Sequence, residues 1–392
     1  MHKIERLLQT LAPKGVEFRK LGEVINILKG KQLNKELLLD YGEYPVMNGG
    51  IHASGYWNEY NTDYPKIIIS QGGASAGYVN YMTSKFWAGA HCYAIELNSE
   101  KLNYKFLYYF LKNAQTILMK SQFGAGIPAL NKADIETLTI PIPPLEIQQE
   151  IVKILDAFTE LNTELNTELK ARKKQYQYYQ NMLLDFNGIN QNHKDAKMSA
   201  KTYPKRLQTL LQTLAPKGVE FRKLGEVCDF QKGKSITKKA VTLGKVPVIS
   251  GGRQPAYYHN EANRSGETIA ISSSGVYAGY VSYWDIPVFL ADSFSVSPKQ
   301  KTLMPKYLFH YLTTQQDAIY ATKSTGGIPH VYSKDLQNFL IPIPPLEIQQ
   351  EIVKILDAFT ELNTELNTEL KARKKQYEYY REKLLSFKPL KA

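Results

Sequence analysis

A long internal repeat constrains this chain more than any other feature of its sequence. All 37 residues from Ile140 to Tyr176 recur, letter for letter, from Ile341 to Tyr377. A second identity, LQTLAPKGVEFRKLGEV, occupies 8–24 and 211–227. The chain of 392 residues therefore consists of two copies of one unit. It is not a solenoid, since a solenoid stacks about three or more short repeats.

Between the identical ends the two halves match loosely. YPVMNGG at 44–50 faces VPVISGG at 246–252, and the offset between matching positions changes only from 203 to 201. The two halves are therefore predicted to share a fold. Short buried strands are predicted at 65–70 and 267–272, and helices, from apolar residues spaced by three and four, at 104–120 and 305–322.

The repeated segment predicts one long helix in each copy. Two prolines end the strand-like IPIP sequence, and a helix can begin just after them. From Ile154 to Leu183 apolar residues recur with a period of about 3.6 residues, interrupted only by Arg172. This pattern predicts helices at 145–184 and 346–385, each with an apolar stripe that needs a partner.

The predicted fold class is α+β, with two similar mixed α/β globules separated by two long helices. The helices are expected to pack as an antiparallel coiled coil with pseudo-twofold symmetry. The predicted boundaries are 1–143 for the first globule, 144–186 for the central helix, 187–205 for a polar linker, 206–344 for the second globule and 345–392 for the C-terminal helix.

The charge balance suggests an acidic partner. Forty-nine Lys and Arg against 37 Asp and Glu give a net charge of +12, and nucleic acid is the commonest acidic partner. The alternative is a basic protein from a basic proteome. Two cysteines cannot build a disulfide framework. With no apolar signal core and no run of about 18–20 apolar residues, the protein is expected in the cytoplasm, away from membranes.

Catalytic and metal-binding motifs are hard to find. The GKS at 233–235 lacks the first glycine of a phosphate loop, because Cys228 stands at that position. The seven histidines are scattered without metal-ligand spacing. The sequence has no Asn-Pro-Pro-aromatic motif of an amino-methyltransferase and no acidic pair plus lysine of a nuclease. We therefore expect no catalytic residue and no metal site.

Binding features are better supported. A Lys-Gly-Lys turn follows the shared opening in each copy, where backbone amides and ammonium groups could face phosphate. Glycine- and serine-rich loops then differ between the halves and carry side chains that read base edges. The alternatives are ordinary solvated turns and ordinary loop variation. The candidate DNA-binding residues are Lys29, Lys31, Gln71, Ser75, Lys120, Gln122, Lys232, Lys234, Arg253, Gln254, Ser273, Ser274, Lys323 and Ser324.

These features resemble the specificity (S) subunits of type I restriction-modification systems. The resemblance covers nearly the whole chain. It is carried by the duplicated IPIPPLEIQQEIVKILD passage, by SSSGVYAGYVSYWDIPVFLADSFSV at 272–296, by the opening VEFRKLGEV and by NTELNTEL inside each helix. It implies two target recognition domains, each reading one half of a split site in double-stranded DNA, and two antiparallel helices.

The resemblance also implies partners and cofactors. Two copies of a methyltransferase (M) subunit would carry the methyl donor, and restriction (R) subunits would carry nuclease and ATP-driven translocase. This chain itself would then be a non-catalytic subunit that needs no cofactor. Because identical helical segments make identical docking surfaces, the expected partner-binding residues are Ile142, Leu145, Ile147, Ile151, Ile343, Leu346, Ile348 and Ile352.

Two readings from other classes stay open on the sequence. The first is a coiled-coil scaffold without sequence-specific DNA binding. The second is a stand-alone methylase or nuclease, which the missing motifs disfavour. The basic segment KARKKQYQYY at 170–179 could touch DNA, but we favour a role in complementing the helix C-terminus and the packing stripe.

Overall fold

The computed structural model describes residues 2–124, 126–186, 203–299, 301–324 and 327–390. Most of the predicted linker, 187–202, lies outside the described residues. The helices are α1 (His2–Leu11), α2 (Tyr104–Lys120), α3 (Lys132–Glu136), α4 (Leu145–Leu184), α5 (Lys205–Leu214), α6 (Leu224–Val227), α7 (Pro305–Thr314), α8 (Gln316–Ala321), α9 (Ser333–Leu336) and α10 (Leu346–Leu384).

The strands are short and fall into two matching series. In chain order they are β1 (Glu17–Lys20), β2 (Ile25–Lys29), β3 (Tyr44–Met47), β4 (Gly55–Trp57), β5 (Lys66–Ser70), β6 (Val79–Met82), β7 (Trp87–Ala88), β8 (Cys92–Leu97), β9 (Thr139–Ile142), β10 (Phe221–Lys223), β11 (Cys228–Lys232), β12 (Val246–Ile249), β13 (Tyr257–His259), β14 (Thr268–Ser272), β15 (Val281–Trp284), β16 (Phe289–Leu290), β17 (Ser293–Pro298) and β18 (Leu340–Pro342).

The chain divides into two compact units. Unit 1 is Met1–Asn166 together with Thr368–Ala392, and unit 2 is Thr167–Asn367. Each unit therefore contains one globule and a part of both long helices. This division differs from the boundaries predicted from the sequence, which separate each helix from its globule.

Unit 1 holds three small sheets, a large apolar core and a smaller buried cluster. The antiparallel four-stranded sheet has the order β2-β8-β5-β6, the three-stranded sheet has the order β4-β3-β7, and β1 pairs with β9. Ile67 on β5 faces Ile95 on β8, and both side chains are fully buried. The apolar face of α2 packs there, with Phe106 and Leu111 in the same core. Strand residues rich in Ile form this sheet because β-branched side chains pack well on a half-buried pleated surface.

Unit 2 repeats this topology strand for strand. Its sheets have the orders β11-β17-β14-β15 and β13-β12-β16, and β10 pairs with β18. The one parallel pair in each three-stranded sheet also recurs, as β3 with β7 and β12 with β16. The prediction that the two halves share a fold is confirmed, and so are the buried strands at 66–70 and 268–272.

The long helices begin as the sequence predicts. α4 covers Leu145–Leu184, and α10 ends one residue before the predicted end. The first turn of α4 is anchored by Gln148, whose side chain is fully buried. Gln148 Oε1 accepts from the amide of Asn103 (2.7 Å), and its Nε2 donates to the carbonyls of Lys101 (2.8 Å) and Pro143 (2.6 Å). This network ties the helix start to the loop before α2.

Within each unit the two long-helix segments pack antiparallel. In unit 1, Phe158 of α4 stacks on Tyr380 of α10, with ring centres 5.5 Å apart. Four residues later along α4, Asn162 lines the same cavity as Lys374, which comes before Tyr380 in α10, so the two segments run in opposite directions. In unit 2 the same packing pairs Tyr179 with Phe359 at 5.2 Å. The predicted antiparallel helix pairing is confirmed within each unit.

Candidate nucleic-acid interface

Four loops of unit 1 are joined by hydrogen bonds into one surface. The amide of Gln71 donates to the carbonyl of His91 (2.8 Å), and the amide of Leu130 donates to the carbonyl of Gln71 (2.8 Å). The hydroxyl of Ser70 donates to the carbonyl of Gly50 (3.3 Å). We name the joined loops loop surface 1; it comprises 48–54, 71–78, 89–91, 121–124 and 126–131.

Unit 2 builds the same surface with the same bonds. The amide of Ser273 donates to the carbonyl of Asp292, and the amide of Val331 donates to the carbonyl of Ser273, both at 2.9 Å. The hydroxyl of Ser272 lies 3.5 Å from the carbonyl oxygen of Gly252, the counterpart of Gly50, and 3.0 Å from that of Ser250. We name these loops loop surface 2; it comprises 250–256, 273–280, 291–292, 323–324 and 327–332. The backbone frame is thus shared, while the side chains on it differ.

The backbone amides of the Lys-Gly-Lys turns are hydrogen-bonded within the protein. The amides of Gly30 and Lys31 donate to the carbonyls of Cys92 (2.9 Å) and Ala88 (2.8 Å). A Cβ on Gly30 would lie 2.1 Å from the carbonyl oxygen of Gly89, so only glycine fits. In unit 2 the amides of Gly233 and Lys234 likewise donate to the carbonyls of Ser293 (2.8 Å) and Leu290 (2.9 Å). The predicted use of these amides for phosphate is therefore wrong.

The lysine side chains of both turns remain available to phosphate. Lys29, Lys31, Lys232 and Lys234 are all exposed. In unit 2, Arg264 braces the turn by donating through Nη2 to the carbonyls of Gln231 and Lys232, both at 3.1 Å. Burial lowers the pKa of Arg264 from its usual value. These contacts make Arg264 a support for the turn, while the ammonium groups face outward.

The predicted side chains of unit 1 take different roles. Lys120 ends α2 with its side chain exposed, and Ser75 is half-buried on loop surface 1. Gln122 donates its amide to the carbonyl of Ala76 (2.7 Å) and so ties two loops together. The Oε1 atom of Gln71 is buried, without a hydrogen-bond partner among the described residues. Gln71 and Gln122 are therefore turned into the protein in this conformation, away from solvent.

In unit 2, Arg253 and Gln254 are exposed neighbours on loop surface 2. The guanidinium of Arg253 lies 4.8 Å from the ring centre of Tyr277 and 5.7 Å from that of Tyr280. Cation–π contact with two rings restrains this long side chain while its polar edge stays exposed. A restrained, outward-facing guanidinium is well suited to read guanine in the major groove.

The other four predicted loop residues of unit 2 lie on the same loop surface. Lys323 donates to the carbonyl of Val276 (3.3 Å), and the hydroxyl of Ser324 accepts from the amide of His330 (3.0 Å). Ser273 and Ser274 are half-buried, and Ser274 forms a β-bridge with His330. These four residues therefore stabilise the conformation of loop surface 2 as well as lying on it.

The sequence reasoning missed exposed apolar and aromatic side chains on both surfaces. Phe123 is 50% exposed and Ile127 79% exposed on loop surface 1. Loop surface 2 exposes the side chains of Val276, Tyr277, Ile328 and Tyr332. Large apolar groups seldom point outward from glycine-rich loops without a partner. The sequence signal that could have identified them is an apolar or aromatic residue inside an otherwise polar loop.

The structure corrects half of the predicted partner-binding residues. Ile147, Ile151, Ile348 and Ile352 are fully buried, in the cores of units 1 and 2. The first two turns of each long helix pack on the globule of their own unit, so these side chains offer no surface to a partner. The other four predictions, Ile142, Leu145, Ile343 and Leu346, fall on side chains that are at least partly exposed.

Within the described residues, no group of three or more His, Cys, Asp or Glu side chains could hold a metal ion. None of the helices described is long and apolar enough to cross a membrane. The thiols of Cys92 and Cys228 are free and buried, and burial raises the pKa of both to about 12.

Comparison with known proteins decides the family. The sequence model described as "Type I restriction modification DNA specificity domain" matches residues 13–174 and again 216–374. This chain belongs to that family. The two matches fall one on each copy of the repeat, and each includes a globule together with most of one long helix.

Members of the DNA specificity family resemble this chain over its whole length. A protein of Haemophilus influenzae that is named as a type I restriction enzyme specificity subunit is 32% identical and covers 98% of both chains. The EcoR124I/EcoR124II specificity subunit of Escherichia coli is 29% identical over 99% of this chain and 97% of its own. The crystal structure of an S subunit from M. genitalium matches the fold with a TM-score of 0.71 at 24% identity, over 95% of this chain and 96% of that one. DNA specificity, rather than scaffolding alone, is the function of this family.

Proposed function

We propose that this chain is the DNA-recognition subunit of a type I restriction-modification complex. Loop surface 1 reads one half of a split DNA site, and loop surface 2 reads the other half. The observation that carries this proposal is one hydrogen-bonded loop frame built twice with different outward side chains. A shared frame keeps the mode of docking constant, while different side chains allow two different half-site sequences.

The subunit is proposed to act without catalysis of its own, in the cytoplasm. The methyl donor and ATP would be bound by the M and R partners, and this chain would bind double-stranded DNA. Lysines of the Lys-Gly-Lys turns would contact backbone phosphates, which fix the position of the protein, while loop side chains would contact bases. The net charge of +12 supports this division.

The helices are proposed to dock two copies of the M subunit. One solvent-facing stripe is identical in both copies, although internal packing does not require identity at exposed positions. This stripe comprises Gln149, Lys153, Ala157, Glu160 and Glu164 in α4, and Gln350, Lys354, Ala358, Glu361 and Glu365 in α10. Two identical surfaces bind the same partner twice.

Native mass spectrometry of the complex with its M partner tests this stoichiometry. We expect two M subunits per chain in the parent protein. Lys153→Glu or Lys354→Glu alone should leave one M subunit, and the double variant none. Gln175→Glu, at an exposed position outside the stripe, is the matched control and should keep both. A strict one-to-one complex at saturating M subunit would contradict the proposal.

DNA recognition is tested by methylome sequencing of cells with and without this chain. We expect methylation of one bipartite motif that disappears when the chain is absent. A scaffold without DNA specificity would leave the methylated sequence unchanged. Binding of the purified complex to that motif should also weaken steeply as salt rises, because phosphate contacts release counterions.

A further inference from the structure

A cationic cavity lies in unit 1, between α2 and the long-helix segments of that unit. Its volume is about 370 Å³. It is lined by Tyr108, Lys112, Thr159, Asn162, Thr163, Asn166, Lys374, Tyr377 and Arg381. Three of these residues carry positive charge, and the other lining side chains, all described, are neutral. None of its lining residues belongs to either loop surface, although Lys112 contacts the ring of Tyr78, which is part of loop surface 1.

Lys112 is held in place without being neutralised. Its Nζ donates to the carbonyl of Val79 (2.7 Å) and to Oε1 of Gln115 (2.8 Å), and lies 4.0 Å from the ring centre of Tyr78. Both acceptors are neutral, so these bonds position the ammonium and leave its charge in place. Burial, and then the nearby charge of Arg381, lower the pKa of Lys112 to about 8.

Arg381 is positioned in the same way. Its Nε donates to Oδ1 of Asn113 (3.2 Å), and its guanidinium lies 5.3 Å from the ring centre of Tyr377. Among the described residues, neither Lys112 nor Arg381 makes an ion pair with a carboxylate. Two cations held together in a partly buried place repel each other, and an anion between them would relieve that repulsion.

Unit 2 supplies a natural comparison. Thr313 stands where unit 1 has Lys112, and Gln180 stands where it has Arg381. The buried amide of Gln180 donates to the hydroxyl of Thr313 (2.7 Å) and to the carbonyl of His310 (3.3 Å). In unit 2 the neutral side chains at these two positions therefore hydrogen-bond to each other. The helix residues around them are identical in the two copies up to Tyr176 and Tyr377.

We propose that unit 1 binds a phosphate group between Lys112 and Arg381, and that unit 2 has no such site. A guanidinium presents paired donors that match an oxyanion, and an ammonium adds a compact charge beside it. Lys374 adds a third positive charge at the cavity wall. The phosphate comes either from a free phosphate ion or from the DNA backbone, and these two sources have the same chemistry at this site.

Calorimetric titration of the full chain with inorganic phosphate is the first arm of the test. We expect one phosphate site in the parent chain, and at least about tenfold weaker binding in Lys112→Thr/Arg381→Gln, since charge-assisted hydrogen bonds are lost. These substitutions copy unit 2, and an unchanged melting temperature checks that the variant is folded. The reciprocal variant Thr313→Lys/Gln180→Arg should gain a second phosphate site.

The second arm measures DNA affinity of the same proteins against salt concentration. If the phosphate belongs to DNA, inorganic phosphate competes with DNA, and Lys112→Thr/Arg381→Gln lowers the slope of log affinity against log salt by about 1–2. If the ion is free phosphate, the DNA affinity of this variant is unchanged while phosphate binding is lost. The proposal is overturned if the variant matches the parent chain in both arms. Sequence recognition by the loop surfaces is read separately by methylome sequencing.

Discussion

At the scale of single residues, one buried glutamine in each unit fixes where a long helix starts. Gln148 makes three hydrogen bonds in unit 1, and Gln349 repeats them in unit 2 with Met304, Thr302 and Pro344. Each side chain is fully buried, so its bonds replace water entirely. The orientation of each helix relative to the globule of its own unit depends on these contacts.

Gln148→Ala is predicted to destabilise unit 1 by about 1–3 kcal/mol, because one amide and two carbonyls lose their partner in a buried place. Urea unfolding measures the change. Gln149→Ala is the matched control, because Gln149 is the exposed neighbour on the same helix turn, and it should change stability by less than about 0.5 kcal/mol. Equal effects of the two substitutions would mean that the network contributes nothing.

Arg253 and Gln254 are predicted to read bases in one half-site. Replacing both by Ala should relax that half-site by about 1–3 kcal/mol per lost bidentate contact and leave the other half unchanged. Competition binding with DNA substituted in one half-site at a time measures this. Lys232→Ala is the comparison, since loss of a phosphate contact weakens all sequences alike. Uniform weakening by Arg253→Ala/Gln254→Ala would assign these residues to phosphate or to folding instead.

At the scale of elements, the helices show which boundaries could be predicted from the sequence. The period of apolar residues after Pro144 predicts α4 to the residue, and the run at 104–120 predicts α2 equally well. The matching run in unit 2 is instead broken into α7 and α8. The hydroxyls of Thr313 and Thr314 bond back to carbonyls three residues earlier and compete with helical bonds. Such competition depends on side-chain rotamers that periodicity does not describe.

Helix α7 also carries a buried histidine that should make unit 2 sensitive to acid. Burial lowers the pKa of His310 below 6.5, although the hydrogen bond to Asp357 acts in the opposite direction and Lys306 again lowers it. The folded state therefore binds a proton on His310 less readily than the unfolded state, which gains one as the pH falls through about 6.5. The unfolding free energy of unit 2 is expected to decrease over that range.

His310→Tyr, which installs the Tyr109 of unit 1, should remove this part of the pH dependence. Hydrogen exchange of amides in α7, recorded between about pH 5 and 8, follows the local stability. His310→Gln serves as a second variant in case the larger ring does not fit. An identical pH dependence of parent and both variants would show that His310 is not the group responsible.

Inserting one further NTEL after Leu169 is predicted to lengthen the non-specific spacer of the DNA site. Four residues add about 6 Å to the helix and rotate its C-terminal part by roughly 40°. Since base pairs stack at about 3.4 Å, the spacer should grow by about one or two base pairs with both half-sites kept. The same insertion in the predicted linker 187–205 is the control. An unchanged spacer, read by methylome mapping, would show that this helix does not set the distance.

At the scale of the whole molecule, the repeat in the sequence was enough to predict the duplicated fold, because the identical segments enclose loosely matching ones at a nearly constant offset. It was not enough to separate partner surface from core. Ile147 and Ile151 are identical between the two copies, as the residues of the exposed stripe are, yet the globule of unit 1 covers them. The amides of the Lys-Gly-Lys turns likewise donate to carbonyls far along the chain, and the amide of Lys31, for example, donates to the carbonyl of Ala88. Such long-range contacts leave no local pattern.

The most direct measurement is methylome sequencing of cells in which residues 206–344 of this chain are replaced by residues 3–143. The C-terminal junction is the same as in the parent, because 140–176 and 341–377 are identical, and the N-terminal junction lies five residues before the identical segments 8–24 and 211–227. If each globule reads its own half-site, both halves of the methylated motif will carry the sequence read by unit 1, and the half-site of unit 2 will disappear. Retention of the parent motif by a folded chimera that still assembles with the M subunit would contradict half-site reading by the globules.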